Sequence, residues 1–144
     1  MHVRDVMTEN VHTVCVDTKT IVASEIMDWA KVRHVPVIDG ERRVVGIITH
    51  RDLLRVSISA LSTSVAKIEK RQHLSMVPIS EVLRSDVRTI SPDASVRLAA
   101  RIMREEKFGC LPVVEKGKLV GVVTEADLLQ LVEMLPDSAV QQTA

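Results

Sequence analysis

Apolar positions along this chain change their period in a fixed order, and the whole order occurs twice. After a lead-in at residues 1–10, Val11 to Val16 is rich in β-branched residues and reads as a strand. Asp17, Thr18 and Thr20 then offer side-chain oxygens to open a helix, in which Ala23, Ile26, Met27 and Ala30 fall on one face. Val35-Pro36-Val37-Ile38 reads as a strand with proline near its start, where a missing N–H is tolerated. Asp39-Gly40 signals a hairpin, and the unbroken apolar run Val44 to Ile48 predicts a returning strand covered on both faces. A helix follows from Thr49. In the second half, Arg88 to Ser91 predicts a strand, and Ser95 to Glu106 a helix with Ala99, Ile102 and Met103 inward. Leu111 to Val114 and Leu119 to Val123 form a hairpin around Lys116-Gly117, and a last helix runs from Thr124 to about Leu135.

The two halves share residues as well as pattern. Gly46 to Leu54 reads GIITHRDLL and Gly121 to Leu129 reads GVVTEADLL. Extended outward, Val3–Leu54 aligns with Ile79–Leu129, with one gap after Asp39 and Glu115 and sixteen identities. This is an internal repeat of about fifty residues, and two copies predict a pseudo-symmetric pair rather than a solenoid. The expected organisation is a first repeat over 1–54, a helical linker over 55–78, a second repeat over 79–135 and a disordered tail over 136–144. In the linker, Leu54, Ile58, Leu61, Val65 and Ile68 make an apolar seam about two heptads long. It fits either a helix packed on its own repeat or a contact with another subunit.

Composition narrows the function classes. With 144 residues, one Phe, one Trp and no Tyr, the chain builds a core of aliphatic residues and has no stacking platforms for single-stranded nucleic acid. Nineteen basic residues balance nineteen acidic ones, so no net field draws nucleic acid, and the Lys67, Lys70, Arg71 run is too slight to change that expectation. Neutrality also removes one guard against self-association. No apolar signal region or membrane-length run is present, and Cys15 and Cys110 lack a C-x-x-C spacing. A cytoplasmic protein with two small buried thiols is expected, a redox sensor being the alternative.

Chemistry concentrates at the repeated G-x-x-T-x-x-D. Thr49 with Asp52, and Thr124 with Asp127, satisfy a capping-box spacing and could simply cap their helices. The same geometry could hold a ligand, since helix N-termini bind phosphate and a carboxylate beside one can accept ribose hydroxyls. Catalysis has little support. The five histidines, His2, His12, His34, His50 and His73, have no metal-ligand spacing, and no serine or cysteine sits in a nucleophile elbow. No enzyme and no metal are expected.

Five features recur in order in both halves: the first strand Val11-x-Thr13, the Ala23…Ile26-Met27 helix, Val35-Pro36-Val37, Gly46 and the T-x-x-D. In this the chain resembles a stand-alone tandem pair of CBS domains (a Bateman module), named after cystathionine β-synthase. The resemblance covers nearly the whole chain. It implies an α/β fold of two β-α-β-β-α repeats packed about a pseudo-two-fold axis, with two clefts for adenosyl ligands: AMP, ADP, ATP or S-adenosylmethionine. Carried over, the first cleft combines Thr49 and Asp52 with Val87, Arg88, Thr89, Cys110, Leu111 and Pro112. The second combines Thr124 and Asp127 with Val11, His12, Thr13, Arg33, His34, Val35 and Pro36. Arg33 and His34 precede Pro36, whereas Gly109 and Cys110 precede Pro112, so the Asp127 cleft is the expected polyphosphate site, with His50 and Arg51 as possible compensation in the other. The resemblance further implies a regulatory ligand-sensing module, a homodimer and a separately encoded regulated protein as partner. A structural oligomerisation module without nucleotide is the alternative.

Overall fold

Two antiparallel hairpins, each backed by helices, form the frame on which the site is built. The computed structural model describes residues 1–60 and 67–140. In the first half, helix α1 (Thr20–Ala30) leads to strands β1 (His34–Ile38) and β2 (Val44–Thr49), then to α2 (His50–Ala60) and α3 (Lys67–Met76). In the second, α4 (Val96–Glu106) leads to β3 (Cys110–Glu115), β4 (Lys118–Thr124), α5 (Glu125–Met134) and the short α6 (Asp137–Val140). The mixed α/β character and the duplicated order agree with the sequence pattern, and the register irregularity repeats too, at Val37/Ile38 and at Val113/Val114.

The first strand of each repeat is much shorter than its pattern suggests. Val14 makes a single parallel bridge to Val37, its N–H donating to the Pro36 carbonyl (3.2 Å) while the Ile38 N–H donates to the Val14 carbonyl (2.9 Å). Ile90 does the same beside β3. Neither run continues as a ladder, because its neighbours turn away into loops that precede the helices.

Each hairpin's outer edge is covered by the opposite half. Thr8 bridges Val122 of β4, and Arg84 bridges Ile47 of β2. The preceding 3-10 turns are exchanged likewise. Val3, in Val3–Asp5, is fully buried in the second half's core with Ile90, Ala99, Met103, Leu111 and Val123. Ile79, in Ile79–Glu81, is fully buried in the first half's core with Val14, Ala23, Met27, Val35 and Ile48. The hydrogen bonds match pair for pair: Val3 N–H to Ala94 and Arg4 N–H to Pro92, against Ile79 N–H to Thr18 and Ser80 N–H to Val16. Arg4 adds an ion pair with Asp93, which raises the guanidinium pKa further. Edge strands covered this way offer no open ladder to another chain.

Local details depart from the sequence reading at several points. Helix α4 is capped by Ser95, whose Oγ accepts from the Leu98 N–H. Helix α1 has no such side-chain cap: Lys19 is its N-cap, Thr20 Oγ donates to the Leu74 carbonyl, and Thr18 Oγ accepts from Cys15. Thr20 is thus spent on joining α1 to α3. In the second hairpin Lys116 and Gly117 both have positive φ, as a two-residue turn of that hand requires. In the first, the turn starts at Asp39-Gly40 as expected: the Arg42 N–H donates to the Asp39 carbonyl (3.1 Å) around Gly40 and Glu41. The inserted residue lengthens the loop, Arg42 takes the left-handed conformation (φ 61°), and Asp39 accepts from the N–H groups of Glu41 and Arg43.

Helix α3 packs on α1 and α2 of its own half, with Leu74 buried and Arg71 ion-paired to Glu25 of α1. This favours the intramolecular reading for the described part of the linker, and Arg71 is engaged rather than offered to nucleic acid. The seam side chains Ile58, Leu61, Val65 and Ile68 lie outside what is described. Residues 137–140 form a helical turn where disorder was expected, and residues 141–144 also lie outside the described chain. Cys110 is buried, but Cys15 is exposed, because it lies in the loop that follows the Val14 bridge. No helix among the described residues is long and apolar enough to cross a membrane.

Candidate functional site

Both T-x-x-D motifs form the cap their spacing allows. Asp52 Oδ2 accepts from the Thr49 N–H (2.9 Å) and hydroxyl (2.8 Å), and the Asp52 N–H donates to Thr49 Oγ1 (3.2 Å). Thr124 and Asp127 repeat this at 2.7, 2.8 and 3.4 Å. One oxygen of each carboxylate is therefore committed to holding its helix start, and only Oδ1 remains for anything else.

A crevice of about 1040 Å³ opens where the two halves meet. From the first half it is lined by Arg33, His34, Ile47, Thr49, His50, Arg51 and Leu54, and from the second by Arg84, Asp86, Val87, Phe108, Gly109, Cys110 and Glu125, among others. The volume reaches the upper end of the usual range for small-molecule sites. Pseudo-equivalent positions meet across it. The His50 N–H donates to the Arg33 carbonyl (2.9 Å) as the Glu125 N–H does to that of Gly109 (3.1 Å). His34 lies against Gly109, whose lack of a side chain leaves room for the imidazole: a Cβ there would stand 3.2 Å from His34 Nε2. Burial lowers the His34 pKa, opposed by the nearby Glu125 carboxylate. Burial pushes the Cys110 thiol up to about 12, with the Asp127 carboxylate adding to the rise.

Of the residues the resemblance nominates, the crevice gathers Arg33, His34, Thr49, Val87 and Cys110. Leu111 and Val35 are fully buried core side chains, as are Pro112 and Pro36, so only their backbone is available to a ligand. Asp52 is 6% exposed and sits behind Thr49. Thr124 and Asp127 are half-buried at the start of α5. Arg88 is turned to Glu106 of α4 at 3.5 Å, and Thr89 is exposed. His12 packs edge-on against Trp29 (centroids 5.3 Å apart), and Val11 and Thr13 flank it half-buried; none of the three lines the crevice.

Arg33 lines the crevice together with His50, and the same two line a smaller hollow with Met27, Asp28, Lys31 and Val32. The crevice holds Thr49 and His50 of the first motif and Glu125 of the second. Arg84 was missed altogether: its Nε lies 3.5 Å from Asp52 Oδ1, across the boundary between halves. Alignment of the halves sets Arg84 against Thr8, a replacement of an uncharged residue by a cation that could have flagged it. In all, Arg33, Arg51, Arg84, Arg104 and Lys107 face the crevice against Asp86 and Glu125, in a chain whose formal net charge is +0. Among the described residues no group of three or more His, Cys, Asp or Glu could hold a metal ion.

The family profile described as CBS domain matches residues 3–59 and 79–133. A CBS domain-containing protein of Dictyostelium discoideum is 32% identical over 130 residues, which are 90% of this chain and 89% of that protein. Other curated relatives are longer, among them homoserine O-acetyltransferases and inosine-5′-monophosphate dehydrogenases, of which the chain spans 42% or less. Among solved structures, CBSX2 in complex with AMP superposes with a TM-score of 0.78 at 26% identity, over 93% of this chain and 97% of that one. The CBS domain pair of protein MJ0100, in complex with 5′-methylthioadenosine and S-adenosyl-L-methionine, gives 0.76 at 25% identity, over 92% and 96%.

Proposed function

Because this chain belongs to the CBS-domain family and carries two copies of the domain in tandem, we propose that it is a regulatory module that binds an adenosyl ligand in the crevice between its halves. The carrying observation is the inter-repeat crevice itself, with five cationic side chains against two carboxylates where the chain as a whole is neutral. That imbalance suits an anionic group such as phosphate. The complexes of CBSX2 with AMP and of the MJ0100 pair with adenosyl compounds support the ligand class.

In this reading the strand backbone at Cys110–Pro112 and His34–Pro36 reads the adenine edge, and apolar side chains such as Ile47 and Val87 cover the ring. The outward oxygens of Asp52 and Asp127 accept ribose hydroxyls, and basic side chains meet phosphate. The protein acts without catalysis of its own, in the cytoplasm. A ligand that touches both halves favours one relative orientation of them, and that change is what a regulated partner protein senses.

A second copy is the proposed companion. Helix α5 has no buried residue: Leu129 (68% exposed) and Val132 stand bare at the edge of the crevice, and Met134 and Leu135 are exposed at the helix end. A two-fold dimer is the simplest closed assembly that would cover them, and sedimentation analysis giving a monomer at micromolar concentration would remove it. The ligand is tested by a thermal-shift panel of AMP, ADP, ATP, S-adenosylmethionine and 5′-methylthioadenosine. A ligand at a hundredfold excess over its dissociation constant adds about 2.7 kcal/mol, or roughly 5–10 °C for a chain of this size. A melt unmoved by every compound would leave a structural assembly module instead.

A further inference from the structure

Helices α2 and α5 start at the two copies of the repeated motif, and both reach the crevice, α2 with Arg51 and Leu54 and α5 with Glu125, Leu129 and Val132. Leu54 and Leu129 hold the same position in GIITHRDLL and GVVTEADLL, and both are exposed. The charge beside them is opposite. Helix α5 carries Glu125, Asp127 and Glu133 and no lysine or arginine, and Glu125 and Glu133 are exposed. Helix α2 carries Arg51 and Arg55, both exposed, while its one acidic residue, Asp52, is buried and caps the helix start. On each helix these side chains fall at helical spacing, Arg51-Leu54-Arg55 and Glu125-Leu129-Val132-Glu133, so each apolar strip is flanked by charge of one sign.

We propose that this face docks a second copy of the chain in one orientation, with α2 of each copy lying on α5 of the other. This rests on the second-copy reading above and adds the orientation to it. A two-fold axis can close such a pair in two ways. One sets each helix on its own counterpart, α2 on α2 and α5 on α5. The other sets α2 on α5 at both contacts. Apolar contact does not separate them, because Leu54 and Leu129 are equivalent by the internal repeat. Charge does. The first way turns arginines toward arginines and glutamates toward glutamates, and like charges facing each other across an interface are strongly disfavoured. The second turns arginine toward glutamate twice. Exposed ion pairs contribute little by themselves, so it is rejection of the like-charged arrangement that sets the orientation. The partner's α2 then covers the bare apolar edge of the crevice.

Sedimentation equilibrium of the full chain tests this on the wild type, Arg55→Glu, Glu133→Arg and the double variant. Each single reversal should raise the dimer dissociation constant about tenfold or more, and the double variant should return to within about threefold of wild type. Orientation is read separately by oxidative cross-linking in a Cys15→Ser background. Leu54→Cys mixed with Leu129→Cys should give a linked pair, and neither should link to itself. Self-linkage of either variant, a mixture that does not link, single reversals without effect, or a double variant as weak as the singles overturns the orientation and leaves the second copy standing. A monomeric wild type overturns both. Should a reversal fail to fold, the cross-linking decides alone.

Discussion

His34 shows how one residue's surroundings turn into a measurable property of the fold. Its imidazole is pressed against Gly109 at the meeting of the halves, and burial outweighs the attraction of Glu125 and Asp52, with Arg33 adding to the depression of its pKa. The folded value therefore lies below the ordinary one near 6.5, and the unfolded chain takes up the proton first as pH falls. Stability is full above about pH 6.5 and declines below it, with a slope of at most about 1.4 kcal/mol per pH unit from this residue. Denaturation midpoints measured from pH 7.5 to 5 should fall for the wild type, and His34→Gln should flatten that part of the curve; an unchanged slope in the variant would mean that His34 is already hydrated. The cysteines give a second reading at the same scale. The sequence places both in β-rich runs and cannot say that the first run shrinks to one bridge at Val14, leaving Cys15 outside. A thiol reagent at neutral pH should label Cys15 at once and Cys110 only on unfolding, since burial keeps the Cys110 thiol protonated.

At the scale of elements, the glycine of each repeated motif has a steric role distinct from any ligand. A Cβ on Gly46 would stand 2.6 Å from the Arg84 carbonyl, and one on Gly121 2.9 Å from that of Thr8. The exchanged segments cross the motif strands at those points, and only a bare backbone lets them approach closely enough to pair. Gly46→Ala and Gly121→Ala should each cost about 1–3 kcal/mol in denaturant unfolding, as overpacking does. Gly40→Ala, which meets nothing within 4 Å, should change stability by no more than about 0.5 kcal/mol. Helix α4, with its Ser95 cap and inward Ala99, Ile102 and Met103, was fully legible because local chemistry and periodicity agree there. The exchange was not. Val3 and Ile79 align with each other and are equally apolar, so their sequence context is the same whether each packs on its own half or on the other. The same blindness hid Arg84, whose place beside Asp52 exists only once that crossing is known, whereas Gly40 sits in the turn its Asp-Gly signal marks, with Arg42 left-handed after it.

The exchange decides how the whole molecule should unfold. Each half's core is completed by a residue from the other's lead-in, and each motif strand's outer edge is paired by the other's backbone. Removing one half would therefore uncover a cavity and an unpaired edge in the one that remains, so neither has a native state of its own to populate. Intermediates with one repeat folded are expected to be too costly to accumulate, and unfolding should follow one transition. The chain supplies a convenient pair of probes. Its single tryptophan, Trp29, lies in the first half with His12 edge-on to it, and reports that half alone, whereas far-ultraviolet circular dichroism averages the helices of both. Urea curves from the two signals should superimpose. Ile79→Ala, a truncation made in the second repeat's sequence, should move both midpoints together, at a cost of about 2–5 kcal/mol, because the cavity it leaves is in the first half. If the tryptophan signal instead shifted while the dichroism split into two steps, the halves would be separable units. A ligand in the crevice would then act on a hinge between two independent domains, and the coupling that a sensing module needs would have to come from the linker and not from the crossed lead-ins.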